Sequence, residues 1–221
     1  FSEFHYFLST RDKRVSTDEI AEAAIRRALE SHNLPYEVDE SGGAFYGPKL
    51  DINLSDAIGR KWQLGTVQVD FMMPERFDLK YRASDGSDQR PVMIHRALAG
   101  SMERLFGVLI EHFAGNFPVW LAPVQAVVAA ISEHQVDYAH SVRERLQKQG
   151  FRIHVDDTAE RLSYKIRHWK MQKVPYILVV GNKEAEQGTV SVNARGVEQK
   201  SNAVTIENFT NEVHTKVVDK T

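Results

Sequence analysis

The chain has 221 residues, 42% of them hydrophobic and 26% charged, a composition that excludes disordered and collagen-like proteins and predicts a hydrophobic core. It contains no cysteine, which excludes disulfide bonds and any thiolate metal site supplied by this chain alone. Because the formal net charge is -2, the chain has no general attraction to nucleic acid, and a polyanion has to bind at a local basic patch.

The first predicted elements are an aromatic-rich strand and an amphipathic helix. Residues 1–11, FSEFHYFLSTR, have the composition of a strand. Ser16 and Glu19 stand at capping-box spacing and predict a helix start, and the helix ends before Asn33 and Pro35. The apolar stripe of this helix consists of Ile20, Ala21, Ala24, Ile25, Ala28 and Leu29.

Residues 46–71 predict an antiparallel pair of strands. KLDINLS and WQLGTVQVDF alternate between apolar and polar residues, and DAIGRK between them can turn. In the second strand the apolar face changes parity across Gly65 and Thr66, which a β-bulge at Gly65 reconciles. Such a bulge would also bring Gln63 and Gln68 onto one face of the sheet.

A further apolar helix is predicted for residues 101–114, where Gly115 and Pro118 end it. The segment NFPVWLAPVQ carries two prolines and marks the expected domain boundary. We therefore expect one domain over residues 1–117 and a second over residues 118–221.

The second domain alternates strands and helices. Strands are expected at residues 124–131, 151–155, 176–180 and 189–194, and helices at 136–149, 160–172 and 206–218. This order predicts βα crossovers and a mostly parallel sheet covered on both faces. The whole chain is thus expected to be α/β, an α+β part with an antiparallel sheet followed by an α/β domain. Its apolar runs are far shorter than the ~20 residues of a membrane span, so we expect a cytoplasmic protein with no membrane partner.

One local basic patch is present in the second domain. No acidic residue occurs between Glu160 and Glu184. The same window contains Arg161, Lys165, Arg167, Lys170, Lys173 and Lys183. The patch is either a solvated helix face with a skewed charge or a surface for a polyanion.

Arg104 stands near the start of the predicted helix 101–114 and is expected close to its buried face. A buried guanidinium without a partner costs several kcal/mol, so it needs an anion. Glu103 points ~100° away on a helix and is a poor partner. The small residues before it leave room for a nucleotide base and phosphates, on which a guanidinium can stack or pair. A salt bridge to a carboxylate elsewhere in the fold is the alternative.

Several stretches resemble class II aminoacyl-tRNA synthetases, and threonyl-tRNA synthetases in particular. GSMERLFGVLIEHF resembles the third motif of class II, a small-residue run followed by Glu-Arg and an apolar helix. AFYGPKLDINLSDAIGRKWQLGTVQVDF, PVMIHRALAGSMER and FPVWLAPVQ resemble successive segments of the threonyl enzymes, in the same order and at similar spacing. Each segment is short, but the ordered set spans essentially the whole chain.

The resemblance implies a ligase that activates threonine with ATP and Mg²⁺ and transfers it to tRNA(Thr). The residues that it places against ATP are Lys49, Gln63, Ser101 and Arg104. It also implies that Tyr46 and Gln68 line the threonine pocket. His95 would be one of three protein ligands of a Zn²⁺ ion that holds the amino and hydroxyl groups of threonine. The residues alone also allow ordinary roles, a core or surface histidine and solvent-facing glutamines.

The resemblance also implies parts that this chain lacks. In the family the other two zinc ligands, a cysteine and a histidine, precede the segment that begins at Phe1. The motif 2 arginine and the motif 1 dimer interface precede it too. We therefore expect the C-terminal portion of a catalytic domain joined to an anticodon-binding domain, inactive alone, with the homodimer belonging to the full-length protein.

The same family implies tRNA contacts in the second domain. Glu184 would read an anticodon base, because a carboxylate accepts from a guanine edge. Arg167 and Lys170 would meet the phosphate backbone, with Lys173 and Lys183 nearby. Ala159 and Asn193 stand where the family has an asparagine and an arginine, so base recognition is expected to differ.

Two other functions fit the sequence. A non-catalytic, synthetase-derived module that binds tRNA, other RNA or a protein partner would also account for the absent motifs. An unrelated two-domain α/β protein would show no effect of threonine, ATP or tRNA on its stability.

Overall fold

The computed structural model describes residues 3–11, 16–197 and 202–220. It divides into two compact units, Phe1–His112 and Phe113–Thr221. The domain boundary expected between residues 117 and 118 lies near this division and stays a prediction. None of the described helices combines the length and apolarity needed to cross a bilayer.

The first unit is built around one sheet. Its described elements are β1 (Phe4–Thr10), α1 (Ser16–Ser31), β2 (Tyr36–Glu40), β3 (Lys49–Ser55), β4 (Lys61–Asp70), α2 (Met72–Arg76), β5 (Tyr81–Arg82), β6 (Asp88–Gln89), β7 (Met93–Ala97) and α3 (Met102–Phe113). Five strands lie in the order β2-β1-β3-β4-β7, and β5 pairs separately with β6. All pairs in the five-stranded sheet are antiparallel except β1 with β2. The expected antiparallel sheet is confirmed.

Helix α1 covers part of the apolar face of this sheet. Ile25 and Leu29 pack with Leu8 of β1 in a buried cluster. Ile20, also in the predicted stripe, is 61% exposed, because the contact with the sheet is narrower than the stripe. The predicted capping by Ser16 concerns a side chain outside the described residues.

The β3–β4 pair contains the predicted bulge. Ile52 of β3 lies opposite Gly65 of β4. The next β3 residue, Asn53, lies opposite Gln63, so Leu64 is the extra residue. Gly65 suits this position because an added Cβ would lie 3.2 Å from the Ile52 side chain. The bulge places both predicted glutamines on the polar face of the sheet, as expected.

The second unit is a layered α/β fold. Its described elements are β8 (Ala126–Ala130), α4 (Val136–Gln147), β9 (Ile153–Asp156), α5 (Leu162–Met171), β10 (Tyr176–Val180), α6 (Asn182–Gln187), β11 (Thr189–Ala194), β12 (Asn202–Thr205) and α7 (Ile206–Val218). The sheet order is β12-β11-β10-β8-β9. Strands β10, β8 and β9 are parallel, while β11 and β12 add antiparallel pairs, so the sheet is mixed. Both fold classes expected from the sequence are confirmed.

Helices cover the central strands from both sides. All residues of β8 and β10 are buried. Helices α4 and α7 pack on one face, against residues such as Leu178, and α5 packs on the other, against Ile177 and Val179. Strand β11 lies next to β10 in this sheet. On the face that α5 covers, a cleft lies between α5 and β11.

Several short elements were missing from the sequence prediction. In the first unit these are β2, α2 and β5 to β7, and in the second unit they are helix α6 and strand β12. Gly181 precedes α6, Glu184 caps it, and Gly188 ends it with a left-handed φ of 66°. These three residues are the signal that the sequence offered for the helix.

Candidate functional site

Asp51 organises one cluster on the polar face of the first sheet. Asp51 is only 6% exposed, and its carboxylate accepts from Gln63 Nε2 at 2.5 Å and from Ser9 Oγ at 2.9 Å. It also forms an ion pair with Lys49. Because this carboxylate is bonded from three sides, it holds two of the predicted ATP contacts side by side. Sequence reasoning missed Asp51, although it shares the parity of Lys49 along β3.

Tyr46, Gln68 and His95 form a second cluster on the same face. Gln68 and His95 lie opposite each other in the β4–β7 pair, and the Tyr46 hydroxyl donates to Gln68 Oε1. The ring centroids of Tyr46 and His95 are 5.6 Å apart. The Tyr46 loop lies tightly on β4, since a Cβ on Gly47 would come within 2.3 Å of the Val69 carbonyl oxygen. The fold thus brings together the three residues expected around threonine and zinc.

A buried carboxylate orients His95. Asp70 Oδ2 lies 2.8 Å from His95 Nε2, and the Asp70 side chain has no exposed surface. Asp70 Oδ1 accepts from the backbone N–H groups of Met72 and Met73 at 2.8 and 2.9 Å. Burial raises the pKa of Asp70, but the bonds from His95 and these amides outweigh burial and lower it. Because this carboxylate only accepts, Nε2 carries the proton and Nδ1 of the neutral ring carries the lone pair.

The described residues fit zinc only as one ligand of a larger set. Among them, no group of three or more His, Cys, Asp or Glu side chains could hold a metal ion. His95 has the chemistry of one such ligand, since a carboxylate that fixes one ring nitrogen is the usual support for metal binding at the other. Any further ligands would have to come from outside the described residues.

Arg104 lies beside the first cluster but is exposed. Its Nη1 donates to the Gln63 carbonyl oxygen at 2.8 Å, and its backbone N–H donates to Ser101 Oγ at 3.2 Å. The expectation of a buried guanidinium is wrong, because α3 turns much of its apolar surface outward: Phe106 and Ile110 are each 55% exposed. Within the described part of the chain the guanidinium is bonded to a carbonyl and not to a carboxylate. Arg104 and Ser101 thus stand next to Gln63, at the rim of the polar face.

In the second unit, Glu184 has a structural task of its own. Its Oε2 accepts from the Gly181 backbone N–H at 3.0 Å, and its Oε1 accepts from Ser191 Oγ at 2.8 Å. Burial raises the pKa of Glu184, but these hydrogen bonds lower the pKa by more, so the carboxylate stays ionised. A carboxylate has about four acceptor positions, so two bonds leave capacity for a base edge.

A basic cleft lies between α5 and β11, with a volume of about 480 Å³. It is lined by Asn116, Lys170, Lys173, Val174, Ile177, Asn193, Ala194, Arg195, Gly196 and Val197. These residues include three cations and no carboxylate, which suits an anionic ligand. Asn193 faces the same side of the sheet as Ser191, the partner of Glu184, because residues two apart share a face. The cleft therefore brings Lys170 and Lys173 together with Asn193, while Arg167 is exposed elsewhere on α5.

Lys165 does not belong to this basic surface. It is 2% exposed, and its Nζ donates to the Ala130 carbonyl at 2.8 Å and the Asp156 carbonyl at 3.2 Å. Its Nζ also lies 3.8 Å from the Asp156 carboxylate. The basic window of the sequence thus includes one cation that supports the core. Arg195, which the sequence reasoning missed, takes a place at the cleft instead.

Comparison with known proteins identifies the family. Residues 2–113 match the tRNA synthetase class II core domain (G, H, P, S and T), half of the chain, and residues 125–216 match the anticodon binding domain. The chain belongs to the class II aminoacyl-tRNA synthetases. The sequence resemblance to this family is confirmed.

The similar proteins of this synthetase chain include threonine–tRNA ligases. The ligase of Magnetococcus marinus is 55% identical over 199 residues, which cover 88% of this chain and 31% of the relative. That of Carboxydothermus hydrogenoformans is 50% identical over 221 residues, 97% of this chain and 35% of the relative. The solved RNA binding domain of threonyl-tRNA synthetase from Cryptosporidium parvum Iowa II has a TM-score of 0.87 and 38% identity, covering 97% of this chain and 55% of that one. The chain spans about a third of the length of these curated relatives.

Proposed function

We propose that this chain is part of a threonine–tRNA ligase and contributes one side of its adenylate site and its tRNA anticodon-binding domain. The observation that carries the proposal is the convergence of Tyr46, Gln68 and His95 on one sheet face, next to Lys49 and Gln63. The curated relatives named threonine–tRNA ligase support it. We further propose a catalytic portion over residues 1–117 and an anticodon-binding portion over 118–221. The resemblance adds a cytoplasmic homodimer as the form of the full-length enzyme.

In the proposed reaction the carboxylate of threonine attacks the α-phosphorus of ATP, and pyrophosphate leaves. A terminal ribose hydroxyl of tRNA(Thr) then attacks the carbonyl carbon of the adenylate, and AMP leaves. Lys49, Gln63 and Ser101 hold the Mg²⁺-bound ATP, and the Arg104 guanidinium stacks on its adenine. Positioning of the two substrates supplies most of the rate enhancement.

Tyr46 and Gln68 line the threonine pocket in this proposal, and His95 provides one zinc ligand through Nδ1. Zinc, when bound, supplies a Lewis acid that holds the amino and hydroxyl groups of threonine. Asp70 keeps the His95 ring in the tautomer with Nε2–H, which leaves Nδ1 free to ligate. The geometry that supports this assignment is the 2.8 Å contact between the two residues.

Threonine-dependent exchange between ATP and pyrophosphate tests the proposed activity. A ligase that carries this sequence should exchange label with threonine and far less with serine or valine. Exchange with none of these amino acids would contradict the proposal. If RNA binding survived in that case, the chain would instead be a synthetase-derived binding module.

The proposed tRNA surface combines the basic cleft with the outer side of α5. Lys170 and Lys173 line the cleft, and Arg167 is exposed on α5, the helix that also carries Lys170. Glu184 lies at the carboxyl end of β10, the edge at which α/β sheets usually bind ligands. We propose that Glu184 reads an anticodon base while the three cations meet RNA phosphates.

Replacing Arg167 and Lys170 together with alanine should weaken tRNA binding and flatten its salt dependence. Each lost phosphate contact lowers the slope of log K against log salt by ~0.7 to 0.9. Titration of labelled tRNA(Thr) at several salt concentrations measures this slope. Arg145→Ala with Lys148→Ala is the matched control, because these exposed cations have the same spacing at α4, on the opposite face of the sheet. An equal change in the control would show a general effect of net charge.

A further inference from the structure

Helix α5 also presents an aromatic surface on the outer face that carries Arg167. We name it the α5 platform: Tyr164, His168 and Met171, with Arg167 beside them. Tyr164 is 56% exposed and Met171 is 71% exposed. Arg167, His168 and Met171 follow Tyr164 by three, four and seven positions, which places all four side chains on the outward face of the helix. Solvated helix faces normally carry polar residues, so a ring and a thioether here need a reason.

The rings of the platform are held in a fixed orientation. Tyr164 and His168 lie nearly parallel, with an interplanar angle of 14° and centroids 6.3 Å apart. The edge of His168 meets Trp169 at 84° and 5.0 Å. Trp169 is itself anchored, because its Nε1 donates to Asp156 Oδ2 at 2.7 Å and its ring packs on His154 at 5.0 Å. The exposed Tyr164 face is therefore part of an ordered aromatic stack.

The charge around the platform favours a polyanion. Arg167 lies on the platform and Lys170 lies on the adjacent side of the helix, toward the basic cleft. No acidic residue occurs between Glu160 and Glu184 in the sequence. Aromatic rings with neighbouring cations are the usual means of binding single-stranded RNA, whose unpaired bases stack on the rings. Tyr, Met and Arg also occur in protein interfaces, but the run of cations without an acidic residue in this window favours RNA over a protein partner.

From this arrangement we propose that Tyr164 stacks an unpaired nucleobase of the same RNA whose phosphates meet Arg167 and Lys170. The inference rests on the proposed tRNA binding and adds a nucleobase contact to it. Cations alone hold the backbone without fixing any base, whereas a stacked base adds affinity that is independent of salt. The platform thus extends the RNA surface from the cleft across the outside of α5.

Binding of a fluorescent tRNA(Thr) anticodon stem–loop to the 221-residue chain tests the platform. Tyr164→Ala should weaken binding about 10-fold, since stacking of one base contributes ~1–3 kcal/mol. The slope of log K against log salt should stay that of the wild type, because no phosphate contact is lost. Tyr164→Phe keeps the ring and should bind within about 2-fold of the wild type, on the same principle.

Val218→Ala is the control, because Val218 is also exposed but lies on α7, which packs on the opposite face of the sheet. Photo-crosslinking of a 4-thiouridine-substituted stem–loop should yield an adduct on the peptide that contains Tyr164. Unchanged affinity of Tyr164→Ala, or equal losses in the alanine and phenylalanine variants, would overturn the platform and leave this surface to a protein partner. Failure of the wild type to bind would overturn the RNA proposal as well, so the two failures are distinguishable.

Discussion

Replacing Arg104 with alanine is expected to slow threonyl-adenylate formation at limiting ATP about 30-fold while leaving tRNA affinity unchanged, because a cation–π contact with a desolvated ring contributes ~2 kcal/mol. The Arg104 guanidinium lies at the rim of the polar face, 2.8 Å from the Gln63 carbonyl oxygen. There it can stack on the adenine of ATP. Arg104 is not among the residues proposed to contact the anticodon. The threonine-dependent exchange rate measures the loss, and titration with tRNA(Thr) shows its selectivity.

Arg96→Ala provides the matched control for Arg104. Arg96 is also exposed, but it follows His95 in β7 and so faces the opposite side of the sheet, opposite Val67. Its replacement should change the exchange rate less than 3-fold, as expected for a surface residue outside the site. Comparable losses from Arg104→Ala in exchange and in tRNA binding would count against stacking on ATP.

Replacing Lys165 with methionine should lower the free energy of unfolding of the second unit by about 3 kcal/mol. The change removes the ammonium from two strand-end carbonyls, those of Ala130 and Asp156, and from the buried Asp156 carboxylate. The length and apolar character of the stem are kept, so the effect isolates the charge and its hydrogen bonds. Urea denaturation followed by tryptophan fluorescence measures the shift.

Lys170→Met makes the same chemical change on the same helix at an exposed position, and its effect should stay within about 0.5 kcal/mol.

The Asp156 carboxylate also makes the loss of stability in the Lys165 variant pH-dependent. Burial raises the pKa of Asp156, but bonds from Thr158 and Trp169 and the charge of Lys165 lower it overall. Because the pKa of Asp156 is lower in the folded state, its carboxylate stabilises the fold at a pH above the unfolded pKa of ~3.9. This stabilisation is lost as the pH falls through the pKa of the folded state. Equal stability of the Lys165 and Lys170 variants would contradict the buried role.

The antiparallel β3–β4 pair and its bulge could be predicted because alternation of apolar and polar residues directly encodes which face a residue occupies. The change of parity at Gly65 required an extra residue, and Leu64 is that residue. The short helix α6 was not predicted because six residues show too little periodicity. Its signal lies in the capping residues alone.

Burial of charged groups was the part that sequence alone could not give. Arg104 was expected to be buried because its helix is apolar, yet α3 packs only part of that surface against the described residues. Lys165 was expected on a basic surface, yet the chain folds it beneath the strand ends. Asp51 and Asp70 were overlooked because their importance comes from partners distant in sequence. Each of these depends on long-range packing, which local patterns do not contain.

A crystal structure with a non-hydrolysable threonyl-adenylate analogue tests most directly whether the polar face of the first sheet receives the adenylate. The full-length ligase that carries this sequence should be used. We predict the threonyl group beside Tyr46, Gln68 and His95, and the adenine under the Arg104 guanidinium at ~3.5–4 Å. An analogue bound elsewhere, or bound here with the adenine away from Arg104, would contradict the account.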